Sequence, residues 1–98
     1  LPLDAIAPGH GAWPAWAREA SAAARLAPSG ANRQPWRLNM DGDALVFTKA
    51  AKTYWTAPID FGIAMLHAEL GAMHAGVSGT WVLGSGAEVS RFVPGQEA

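Results

Sequence analysis

Apolar positions along this chain recur with two periods, and the switches between them mark the elements. Over residues 13–27 (WPAWAREASAAARLA), Trp13, Trp16, Ala17, Ala20, Ala24 and Ala27 fall at helical spacing, while Arg18, Glu19, Ser21 and Arg25 occupy other positions. This pattern predicts an amphipathic helix. Pro14 near its first turn removes an N–H that has no helical partner there, and Pro28-Ser29-Gly30 stops it. From residue 36 the period drops to two: in WRLNM, Trp36, Leu38 and Met40 share one face, with Arg37 and Asn39 on the other. Asp41-Gly42 signals a hairpin turn, and ALVFT (44–48) is the return strand. Residues 49–58 read as a loop or short turn. A second helix is predicted over 61–75, with Asp60 as its cap. Ile63, Leu66, Leu70 and Met73 form one apolar stripe of it, and Phe61, Met65, Ala68 and Ala72 another. Its ionisable groups are His67, Glu69 and His74. A helix apolar nearly all round is buried on most sides. TWVLG (80–84) and VSRFV (89–93) are predicted strands, separated by Ser85-Gly86-Ala87.

The order helix, hairpin, helix, strand, strand defines an α+β class. The expected architecture is a half-fold in which two helices pack on a small antiparallel sheet. Residues 1–12, with two Pro and two Gly, read as an irregular lead-in or linker, and residues 13–98 as the domain. The sequence contains no internal repeat. Its opening residue is Leu1 rather than Met, which points to a trimmed chain or a piece of something longer.

Composition narrows the function classes. Of 98 residues 50% are hydrophobic and 15% charged, with a net charge of −1. That excludes the composition of a disordered chain. It also argues against nucleic-acid binding, which draws on an excess of cations. No apolar run reaches the ~18 residues of a membrane span. There is no cysteine, hence no disulfide framework and no thiolate, and the expected compartment is the cytoplasm. Five Trp bring large apolar areas to a small chain. A domain of this size buries only a little over ~60% of its unfolded surface, so a partner surface is expected.

Most chemistry-bearing residues have structural readings. Asp41 and Asp43 flank Gly42 and suit a turn. GVSGTWVLGSG fits no phosphate-cradling glycine pattern, and no serine sits in a nucleophile elbow. His67 and His74 are two turns apart, ~10.5 Å of rise, too far for one metal ion. No catalytic residue and no metal ligand is assigned.

The informative stretch is RLAPSGANRQPWRL (25–38). Asn32 and Gln34 carry amides that both donate and accept hydrogen bonds. Ser29 and Gly30 allow close backbone approach, and Pro28 and Pro35 stiffen the flanks. A capped helix end, an Asn turn and a strand start explain the same residues. So does a ligand edge with alternating acceptors and donors, such as the pyrimidine edge of a flavin.

The string APSGANRQPWR resembles the Ser-x-x-Asn-x-Gln-Pro-Trp segment of the nitroreductase family, FMN-dependent oxidoreductases. IDFGIAMLHAELGAMHAGVSGTW resembles the long interface helix and following strand of a tandem subgroup that carries two copies of the half-fold in one chain. The likeness covers about residues 20–83. It implies an α+β fold, usually a homodimer, with FMN at the interface. It further implies cofactor contacts from Pro28, Ser29, Gly30, Asn32 and Gln34, with Trp36 structural. Family members carry an N-terminal Arg-Ser-x-Arg motif for the FMN phosphate, and this chain has none. Ser90-Arg91 is the nearest basic alternative, with a surface or strand-edge charge as the competing reading of Arg91. The resemblance implies transfer of two electrons from NAD(P)H through flavin to a nitroaromatic or quinone-type acceptor. Either a homodimer or a missing N-terminal half would complete the fold. The alternative is a dimerisation or interaction module that has lost flavin.

Overall fold

The computed structural model describes residues 2–27, 36–49, 57–84 and 86–95. Among the described residues, three α-helices pack on a four-stranded antiparallel sheet. The helices are α1 (Leu3–Ile6), α2 (Ala15–Arg25) and α3 (Ala57–His74). The strands are β1 (Trp36–Asp41), β2 (Ala44–Lys49), β3 (Gly79–Leu83) and β4 (Glu88–Pro94).

The lead-in is more ordered than its Pro and Gly content suggests. It forms α1 and a 3₁₀ turn over His10–Ala12, and both Ile6 and Ala7 are fully buried in the core. Leu3, Ile6 and Ala7 make one apolar face at i, i+3 and i+4. A single turn of helix is too short for that spacing to stand out as a periodic segment.

Helix α2 lies inside its expected range, and Ala17, Ala20, Ser21 and Ala24 face inward. The β1–β2 hairpin pairs Leu38 with Phe47, Met40 with Leu45 and Asp41 with Ala44. Asp41 therefore stays in the strand, and the two turn residues are Gly42 and Asp43, one position later than expected. Alternation in β1 holds, with Trp36 and Leu38 buried and Asn39 exposed.

Helix α3 begins at Ala57, four residues before the expected start. This leaves Asp60 inside the first turn rather than at the cap. Pro58 does not prevent the earlier start, because the first four N–H groups of a helix have no partner within it. At the other end, Gly76 (φ 86) accepts a left-handed conformation. Val77 N–H donates to the Ala72 carbonyl and Gly76 N–H to that of Met73, both at 2.9 Å. These two bonds form a Schellman stop.

The strand order β1-β2-β4-β3 puts β2 and β4 in the middle. Central position accounts for β2 being buried at Ala44, Leu45, Val46 and Phe47 alike. Leu45 pairs with Phe92, and Phe92 with Trp81, so the helix-facing side carries an apolar row across three strands. Aromatic rings fill this layer. Trp81 lies edge-on to Phe92 at 5.2 Å and to Phe47 at 5.7 Å, and Trp16 of α2 tilts against Phe92 at 5.7 Å. Such pairs add about 0.5–1.5 kcal/mol each beyond their burial.

The two longer helices meet through small residues. Ala17, Ala20 and Ala24 of α2 and Ala64, Ala68 and Ala72 of α3 are all buried. At Gly71 the backbones come so close that a Cβ would stand 2.7 Å from the Glu19 carbonyl oxygen and 2.9 Å from the Ala23 Cβ. The alanine bias of the sequence thus serves a tight helix contact. It leaves the opposite stripe of α3 open: Leu66, Leu70 and Met73 are 56%, 55% and 52% exposed.

Candidate functional site

Pro28, Ser29, Gly30, Asn32 and Gln34 lie outside the described residues. The two positions that bracket this segment are described, and both are core. Ala27, just after α2, is 3% exposed, and Trp36, which opens β1, is fully buried. The Trp36 ring stands edge-on to Phe61 of α3 at 6.3 Å. Its carbonyl accepts a 2.7 Å hydrogen bond from Arg37 Nη1. The Trp36 indole nitrogen is buried and has no hydrogen-bond partner among the described residues. The described chain thus enters this segment from one core residue and leaves it at another.

Arg91 was the basic candidate for a phosphate. Its Nε and Nη2 donate to the two carboxylate oxygens of Glu88 at 2.8 and 2.9 Å, and Nη1 lies 3.1 Å from Asp41 Oδ2. The bidentate bond to Glu88, then the one to Asp41, raise the Arg91 pKa further above its ordinary value. The hydrogen bond from Arg91 holds the Glu88 carboxyl below the usual carboxylate range. Neighbouring residues on a strand point to opposite faces. Ser90 pairs with Phe47, while Arg91 pairs with Val46 on the other side. Ser90 and Arg91 therefore lie on opposite faces of the sheet, and the Arg91 guanidinium is engaged by two carboxylates. It is a strand-surface charge that reaches across β2 to Asp41 on β1.

His67 is half-buried and His74 exposed. Among the described residues no three potential ligands come together as a metal site. Glu69 of α3 accepts a hydrogen bond from the Trp81 indole at 2.8 Å. Sequence reasoning missed one feature of the lead-in: His10 Nε2 lies 2.8 Å from Asp4 Oδ1. His10 also borders an open cleft of about 350 Å³, lined by Leu3, Ala15, Arg18, Glu19 and Ala22. The only signal for the pair was an acid six residues before a histidine, too loose a spacing to single out.

The arrangement of helices on this sheet is that of a nitroreductase half-fold. A solved structure of a putative nitroreductase from Thermotoga maritima superposes with a TM-score of 0.75 at 24% identity, over 95% of this chain and 41% of that one. At that identity the likeness speaks for the fold. Residues 1–72 match the family described as "Putative TM nitroreductase", and the chain belongs to that family. The match begins at residue 1 and so includes the lead-in that buries Ile6 and Ala7. No curated protein matches the sequence. The chain spans less than half the length of its solved relative.

Proposed function

We propose that this chain forms one wall of an FMN site in an oxidoreductase whose fold is completed by a second half, either another copy or an N-terminal half-fold. The observation that carries this reading is the Ser29-to-Trp36 motif, bracketed by the buried anchors Ala27 and Trp36 in a chain of the nitroreductase family. Two fixed ends reduce the entropy a loop loses on meeting a ligand. Asn32 and Gln34 offer amide donors and acceptors to the pyrimidine edge of the flavin. Ser29 and Gly30 offer backbone N–H groups to carbonyl or ribityl oxygens, and Pro28 stiffens the approach. When bound, FMN supplies two-electron chemistry between NAD(P)H and a nitroaromatic or quinone-type acceptor. The protein contributes orientation and hydrogen bonding. No residue of this chain is assigned a proton-transfer role. A cysteine-free sequence supports a cytoplasmic setting. Among the described residues no helix is long and apolar enough to cross a membrane.

A second reading has one observation in its favour. With Arg91 held by Glu88 and Asp41, the phosphate lacks the cation that the sequence offered for it. A pairing module without flavin would need none. The absorbance spectrum of the purified, assembled protein separates the readings. Bands of oxidised flavin support the enzyme, and a colourless assembly that stays colourless with added FMN supports the module.

A further inference from the structure

We draw no further inference here: the strongest candidate, the open apolar stripe of Leu66, Leu70 and Met73 along α3, carries nothing beyond the pairing already proposed, because nothing in the structure shows what covers it.

Discussion

The indole N–H of Trp81 donates to the Glu69 carboxylate at 2.8 Å, tying the middle of α3 to the edge strand β3. Trp81 also stacks edge-on against Phe47 and Phe92. One residue thus links an edge strand, the two central strands and the covering helix. Hydrogen bonds to charged groups contribute about 1.5–3 kcal/mol when well placed, and less where solvent competes. Glu69→Ala should destabilise the fold by about 1–2 kcal/mol. Glu69→Gln keeps an acceptor oxygen and should lose less. Urea denaturation checks this: the midpoint should fall in that order with an unchanged slope.

Two glycines of α3 make opposite predictions for the same substitution. At Gly71 a methyl group would meet the Glu19 carbonyl oxygen at 2.7 Å and the Ala23 methyl at 2.9 Å. Backbone on one side and a packed helix on the other leave little room to yield. Gly71→Ala should cost about 1–3 kcal/mol net, despite the helix propensity that alanine adds. At Gly62 nothing lies within 4 Å of the added carbon. Gly62→Ala should therefore gain up to about 1 kcal/mol. Thermal midpoints moving in the same direction for both would contradict the described helix crossing.

The sequence made the regular elements legible because each has its own period. Trp36, Leu38 and Met40 alternate, and Ala17, Ala20 and Ala24 recur at helical spacing, and both patterns are matched by burial in the fold. What it hid was set by tertiary context or by short length. The lead-in buries Ile6 and Ala7, yet one turn of helix leaves no measurable period. Pro58 falls at the end of a stretch that reads as a loop or short turn, yet it sits in the first turn of α3. Arg91 looked like a candidate phosphate ligand because its partners are distant in kind: Glu88 lies three residues before it, but Asp41 belongs to another strand, two positions away across the sheet. The loop motif was legible as chemistry, but the flavin contact proposed for it draws on a second half that the local residue pattern does not specify.

The Arg91 cluster gives a pH signature with a definite sign. Glu88 titrates below its ordinary range in the folded chain, chiefly through its hydrogen bond with Arg91. Its contribution is then fully present above the unfolded carboxyl pKa, near ~4.3, and is lost as pH falls through the lower folded value. Arg91 is shifted upward, so it stays charged throughout the working range and adds no alkaline limb. The cluster is solvent-accessible, so the effect should be small and should weaken with added salt. Glu88→Gln should separate from the wild type at neutral pH and converge with it in acid. A gap that widens below pH 4 would contradict this assignment. Arg91→Lys should behave like a partial loss, since an ammonium cannot reproduce the bidentate geometry.

The open face of α3 predicts association. Leu66, Leu70 and Met73 are each more than half exposed. Full burial of such side chains is worth about 1.5–3 kcal/mol, so covering the exposed half of each should add about 1 kcal/mol. Three together favour a dimer or a joined second half. Sedimentation should find a species larger than the 10.2 kDa chain at micromolar concentration. Leu70→Glu should shift it to monomer while far-UV circular dichroism stays helical, because the position lies away from the α2 contact. A stable monomer in the wild type would argue against pairing through this face.

Flavin affinity tests the loop directly. Asn32 and Gln34 bring two amides, two residues apart, into a segment whose ends are held by Ala27 and Trp36. Losing one neutral hydrogen bond costs about 0.5–1.5 kcal/mol, or roughly three- to tenfold in affinity. Asn32→Ala should weaken FMN by that factor in the assembled protein, with the urea midpoint nearly unchanged. The chain alone should bind far more weakly than a two-half assembly. The nearest basic candidate for its phosphate, Arg91, is already engaged by Glu88 and Asp41, and charge-assisted bonds are the stronger ones. Fluorescence quenching of FMN, titrated with the chain, with the Asn32→Ala variant and with the chain joined to a second half, orders the three. Arg91→Ala provides the internal control: with the guanidinium on the far face of the strand from Ser90, its removal should leave FMN affinity unchanged. A drop in affinity in that variant would return Arg91 to the phosphate. An assembly that ignores FMN at high micromolar concentration would leave the pairing module as the function of this fold.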